Sequence, residues 1–306
     1  MQNTPFLPHL TYLTDGGLET TLVFHRGLEL RHFAAFELLQ DETGREILRE
    51  YYSSYARLAI QYGHGFIWET PTWRASADWA RLMGYSHGEI REINRKAVTF
   101  LRALSEEFPL SHSLFSGQIG PRGDGYLVHA RMTIAEARKY HLEQMRALAL
   151  ADVDLLCVLT MNYMEEATGI ALAARELDVP VIISFTVETD GRLPDGTTLA
   201  DAIHRTDRAT DAYPLHYMIN CAHPRHFAAL FAHDQALASR VRGIRANASL
   251  KSHAELEASE TLDIGDRLSL AADVRDLRTK LPDLKVLGGC CGTDHMHLDA
   301  ICRAWT

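Results

Sequence analysis

The sequence predicts a (β/α)8 barrel, and three observations predict it. Short apolar runs rich in β-branched residues alternate with longer amphipathic stretches. Eight such pairs fit within the 306 residues. The unusual residues follow the strands rather than precede them, as they do when an active site is built from the βα loops on one barrel rim.

The strand candidates come in order. Thr11–Thr14 ends in Asp15-Gly16-Gly17, Phe66–Trp68 in Glu69-Thr70, and Leu114–Ile119 in Gly120-Pro121. Val153–Leu159 ends in Thr160, and Val179–Val187 runs towards the turn-rich stretch Thr189–Gly196. Leu215–Ile219 ends in Asn220-Cys221, Val241–Ala246 in Asn247, and Leu284–Leu287 in Gly288-Gly289-Cys290-Cys291. Between them, Arg45–Tyr62 carries Ile47, Leu48, Tyr51, Tyr55, Leu58 and Ala59 at helical spacing. His87–Phe108, Thr133–Ala151, Met164–Leu177, Thr197–Thr210, Pro224–Leu237, Ile264–Leu281 and Asp294–Trp305 read similarly. Thr133 with Glu136 three residues later is a capping-box pattern. A doubly wound open sheet is the alternative, but eight units suit a closed barrel better. No low-complexity linker splits the chain, so one domain over residues 1–306 is expected.

Composition narrows the function. Hydrophobic residues make up 46% and charged residues 23%, an ordinary globular balance. A net charge of −9 and a pI near 6.0 argue against a general nucleic-acid or anionic-membrane binder, which needs a basic face. The start of the chain lacks the basic and apolar regions of a signal peptide, and no apolar run is long enough to span a membrane. Five cysteines are too few and too odd a set for a disulfide scaffold. A reducing cytoplasm is therefore expected, with cysteines free, metal-bound or catalytic.

The cysteines carry the strongest chemical signal. Cys221 follows the sixth strand and Cys290-Cys291 the eighth, so a barrel brings them together. Adjacent cysteines rarely bridge each other, and three thiolates in one place repel unless a cation neutralises them. Zn2+ does so in a tetrahedral sulfur shell, and three protein ligands leave one position for substrate. Cys157, within a strand, and Cys302, in the last helix, read as buried small apolar residues. Asp15 could pair with an ammonium group, and the N–H groups of Gly16 and Gly17 could hold a carboxylate. His295 and His297 sit in an amphipathic helix and read as a solvated face, not a metal pair.

Together, DGGLET, Asn220-Cys221 and GGCCGT resemble the homocysteine S-methyltransferase family. That family includes betaine- and S-methylmethionine-dependent enzymes and the homocysteine module of cobalamin-dependent methionine synthase. The resemblance runs from Asp15 to about Leu298, and FIWETPTWRAS at 66–76 is similar to the methionine-synthase version of the second-strand region. It implies a zinc-dependent barrel with Cys221, Cys290 and Cys291 as metal ligands. It places Asp15, Gly16, Glu69, Thr70, Asn220 and Asn247 around a small-molecule thiol acceptor and its methyl donor. The expected reaction forms methionine. The barrel is expected to use the whole chain, leaving no cobalamin or folate domain and favouring a small donor such as S-methylmethionine or S-adenosylmethionine. The sequence leaves monomer and dimer equally open.

The family's usual proline and following glycine are absent around Asn247, and a more serious departure follows the fourth strand. The Glu that holds the homocysteine amino group after the fourth strand aligns with Leu159, followed by Thr160. An apolar side chain cannot pair with an ammonium. Either Glu69 or Glu165 takes that part, or the acceptor is another thiol or a selenol. Two rival classes are a non-catalytic zinc-binding barrel and a metal-independent barrel enzyme.

Overall fold

Residues 4–306 are described in a computed structural model; Met1, Gln2 and Asn3, part of the expected 1–306 domain, lie outside them. Eight parallel strands close into a barrel in chain order, which decides against the open sheet. They are β1 (Tyr12–Leu13), β2 (Gly65–Glu69), β3 (Ser113–Ile119), β4 (Leu155–Met161), β5 (Val181–Phe185), β6 (Tyr217–Asn220), β7 (Val241–Ala246) and β8 (Val286–Gly289). Closure rests on β1, where Tyr12 is in register with both Gly65 and Val286.

The main helices are α1 (Glu42–Tyr62), α2 (His87–Ser105), α3 (Ile134–Ala149), α4 (Met164–Glu176), α5 (Leu199–Thr210), α6 (Gln235–Arg240), α7 (Arg267–Asp276) and α8 (His295–Trp305). Their starts are written locally. Thr133 and Glu136 form the capping box that the sequence predicts, and Ser86 with Glu89 forms another before α2. The expected helix Pro224–Leu237 is broken. A short helix at Pro224–Phe227 tightens into a 3-10 turn at Ala228–Phe231. A new helix then starts where the Asp234 side chain accepts from Leu237 N–H. No helix among the described residues is long and apolar enough to cross a membrane.

The period-2 alternation of the strands divides the apolar residues into two cores. Tyr12, Ile67, Leu114, Leu155, Cys157, Leu159, Ile182, Met218 and Val286 point into the barrel, with Phe6 packed among them. Leu13, Phe66, Trp68, Leu156, Val158, Ile183, Ile219, Ile244 and Leu287 face the helices. The same alternation puts Glu69, Gln118, Asn220, Arg245 and Gly288 on the inward face near the C-terminal strand ends. Gly288 is required there by space. A Cβ on it would collide with Thr14 Oγ1 and come within 3.0 Å of Arg245 Cγ.

Gly288→Ala should therefore destabilise the barrel by about 1–3 kcal/mol, the usual cost of overpacking. Gly123→Ala, whose Cβ would meet nothing within 4 Å, is the control. Thermal unfolding of the two variants checks this, and an unchanged midpoint for Gly288→Ala contradicts it.

Candidate metal centre

The turns after β6 and β8 bring the sulfur ligands of Cys221, Cys290 and Cys291 within 4.8 Å of one another. Cys221 takes a left-handed backbone conformation, φ 54°, which turns the chain sharply after Asn220. On the other side, Gly17 lets the β1 turn press on the β8 turn, because a Cβ there would collide with the Cys290 carbonyl oxygen. The Gly17 N–H is spent on Thr293 O at 3.1 Å.

Cys221 and Cys290 are joined in a disulfide, and Cys291 is free. The sequence reading expected no bridge. The same convergence that suits a metal also suits a disulfide: the two Cα atoms are 5.3 Å apart, within the ordinary range for a bridge. Cys291 Sγ lies 3.8 Å from Cys221 Sγ. Two sulfurs on one tetrahedral zinc, each at about 2.3 Å, stand about 3.8 Å apart. The donor set therefore fits zinc once the bridge is reduced. Burial pushes the Cys291 thiol up, against a hydrogen bond from Tyr126. A thiol in that setting ionises readily only beside a cation.

Three rim loops close over the sulfurs. The Tyr126 hydroxyl is 3.6 Å from Cys291 Sγ, and its ring stacks on His253 at 4.2 Å. His253 bonds the Cys221 carbonyl through Nε2 at 2.8 Å and Glu188 through Nδ1 at 2.9 Å. None of these three residues carries a local sequence signal, since they lie on separate loops. Asn220 supports the sulfurs from inside the barrel. Its Oδ1 accepts from Thr160 N–H at 2.8 Å and from Ser184 Oγ at 2.7 Å, and its Nδ2 sits 3.9 Å from Cys290 Sγ.

Beside the sulfurs lies a charged layer that the sequence reading only half anticipated. Arg245 projects inward from β7, crosses Gly288 and reaches Asp15 after β1, with Nη2 2.6 Å from Oδ1. The guanidinium also donates to the carbonyls of Gly289 and Gly16, at 3.1 and 3.0 Å. The Tyr51 hydroxyl donates to Asp15 Oδ2 at 3.0 Å. Asp15 is thus ion-paired at Oδ1 and hydrogen-bonded at Oδ2. Glu69, buried at 2% exposure, keeps Oε2 without a partner. Burial raises its pKa to about 7, against the lowering effect of Arg245.

The other expected residues divide by position. Leu159 points into the barrel interior, and Glu165 is paired outside it with Arg131 at 2.7 Å, so Glu69 is the inward carboxyl of the two alternatives. Thr70 spends its hydroxyl on Thr72 at 2.7 Å and on Gln118 N–H at 2.9 Å, tying β2 to β3. Asn247 folds its side chain onto Ser249 N–H at 3.0 Å beside the Cys221 turn. Cys157 and Cys302 are buried, as expected. His297 is not solvated: it is 1% exposed and bonds Asp294 Oδ1 at 2.7 Å and Ile264 O at 2.8 Å, closing the α8 cap.

The family model for homocysteine S-methyltransferase matches residues 12–305. Among solved structures, the chain is similar to the homocysteine methyltransferase MmuM from Escherichia coli in its oxidised form. Identity there is 21% and the TM-score 0.76, over 97% of this chain and 98% of the other. The metallated form of MmuM gives 18% identity and a TM-score of 0.73, over 96% of each chain. These likenesses establish a shared fold. A search of curated protein sequences finds no significant match.

A pH linkage follows from Glu69. Its folded pKa, about 7, lies above the ordinary carboxyl value of 4.5. The fold therefore favours the neutral form, and the associated stability is full below the unfolded pKa and lost as pH rises through about 7. Between pH 5 and 8 the wild type should lose up to about 3 kcal/mol relative to Glu69→Gln in denaturant unfolding. Parallel pH profiles for the two proteins contradict this.

Proposed function

The chain belongs to the homocysteine S-methyltransferase family, and on that premise we propose a zinc-dependent methyl transfer from a small sulfonium or ammonium donor to the thiol of homocysteine, forming methionine. The observation that carries the zinc reading is the meeting of Cys221, Cys290 and Cys291 on one side of the barrel rim. An all-thiolate set selects a soft or borderline cation, and zinc is the usual one. The solved metallated form of MmuM is consistent with a metal in this fold. Reduction of the Cys221–Cys290 bridge is a precondition, and a reducing cytoplasm would supply it.

When bound, zinc supplies the positive charge that lets a thiol, only about 3% ionised at neutral pH from its ordinary pKa, react as thiolate. The chain's own residues do the rest. Asn220 holds the β6 end against Thr160 and Ser184, fixing where Cys221 begins its turn. Tyr126 and His253 cover the sulfurs and restrict water. Glu69 offers a carboxyl towards the acceptor from inside the barrel. In the transfer, the acceptor sulfur forms a bond to the methyl carbon while the donor's bond to that carbon breaks. Its electron pair leaves with the donor sulfur or nitrogen. Holding donor and acceptor in line supplies much of the rate. S-methylmethionine and S-adenosylmethionine are small sulfonium donors of this kind.

Leu159 favours a second reading, a different thiol or selenol acceptor, because the family's amino-binding Glu is replaced there by an apolar residue. Both readings share one test. Reduced protein should carry about one zinc per chain and form methionine from homocysteine in a mass-spectrometric assay across donors. Cys291→Ala should lose the zinc and the transfer while unfolding at a near-normal temperature. Full zinc and full turnover in that variant contradict the proposal. Zinc with no methionine from any donor favours the other acceptors.

A further inference from the structure

We propose that Arg245 and Glu69 form a two-point clamp for the zwitterionic end of an α-amino acid, Arg245 holding its carboxylate and Glu69 its ammonium. This rests on the thiol-acceptor reading above and names the residues that select the acceptor. Both side chains face the barrel interior near C-terminal strand ends, Arg245 on β7 between the two strands that carry the cysteine turns and Glu69 on β2. Both are nearly inaccessible, at 3% exposure for Arg245 and 2% for Glu69. Each keeps one buried polar atom without a partner, Arg245 Nη1 and Glu69 Oε2. Among the described residues they form no ion pair with each other. A buried guanidinium N–H and a buried carboxyl oxygen left unpaired both carry a desolvation cost, which a ligand with the complementary groups removes.

Arg245 adjoins the sulfur ligands. Arg245 Nε bonds the carbonyl of Gly289, the residue before Cys290, at 3.1 Å. The Arg245 carbonyl accepts from Cys221 N–H at 3.1 Å. The clamp is therefore built onto the same backbone that carries the sulfur ligands. Asp15 neutralises one edge of the guanidinium and Tyr51 engages the far oxygen of Asp15, so Asp15 itself is poorly placed to take the ammonium. With Leu159 apolar, Glu69 is the inward carboxyl still unengaged at one oxygen.

Binding of three thioethers tests the clamp without methyl transfer. L-Methionine carries both charges, 4-(methylthio)butanoate lacks the ammonium, and 3-(methylthio)propylamine lacks the carboxylate. Calorimetry on the reduced, zinc-loaded protein should show L-methionine binding at least about tenfold more tightly than either analogue. Glu69→Gln should erase the preference over the butanoate and leave the preference over the amine. The double variant Asp15→Asn/Arg245→Met, which removes both partners of the ion pair together, should erase the preference over the amine. Equal binding of all three ligands by the unmodified protein, or no binding of L-methionine, overturns the clamp without any variant having to fold. Full preference for L-methionine in a protein that transfers no methyl group supports the clamp and overturns the methyltransferase reading.

Discussion

The buried ion pair between Arg245 and Asp15 is the interaction on which the rim depends. It joins β7 to the turn after β1 across Gly288, and the same guanidinium binds the carbonyls of Gly16 and Gly289. The ends of β7, β8 and β1 are thus fixed relative to one another at the base of the Cys290-Cys291 turn. A buried pair gains little over apolar packing, but removing one partner strands the other at a cost of about 3–5 kcal/mol. Specific placement of the strand ends, more than net stability, is what this pair supplies. Beside it, burial raises the Glu69 carboxyl pKa to about 7 against the lowering effect of Arg245.

Around that centre the structure separates rigid support from adaptable cover. Asn220, Ser184 and Thr160 bind one another inside the barrel, on strands whose register is fixed by two packed faces. The cover comes from loops: Tyr126 after β3, Glu188 after β5 and His253 after β7 meet over the sulfurs. Loops can vary while the strands stay constant, which is how one barrel serves different substrates. Leu159 belongs to the rigid part, so its apolar character is a fixed feature of the barrel interior.

The barrel was legible because each strand is a short apolar run with its own punctuation, and the cysteine site because GGCCGT is a local signal whose barrel position follows from counting strands. Arg245 was not legible. In the run Val241–Ala246 both Arg242 and Arg245 read as ordinary strand charges, and only the pairing with β6 and β8 turns one outward and the other in. The Cys221–Cys290 bridge spans 69 residues, and the sequence pattern that suits a metal site does not distinguish it from a disulfide. His297 was misplaced because its helix is amphipathic, whereas its role is set by the Asp294 cap and a carbonyl from a distant loop. The break after Phe227 is hidden because Asp234 caps a new helix within what reads as one continuous amphipathic stretch.

X-ray absorption at the zinc edge of the reduced, zinc-loaded protein counts the sulfur atoms on the metal. Three sulfur scatterers at about 2.3 Å are expected, rising to four when homocysteine is added. A shell dominated by nitrogen and oxygen, or a sulfur count that does not change with homocysteine, would contradict a three-cysteine zinc centre that takes the acceptor thiol.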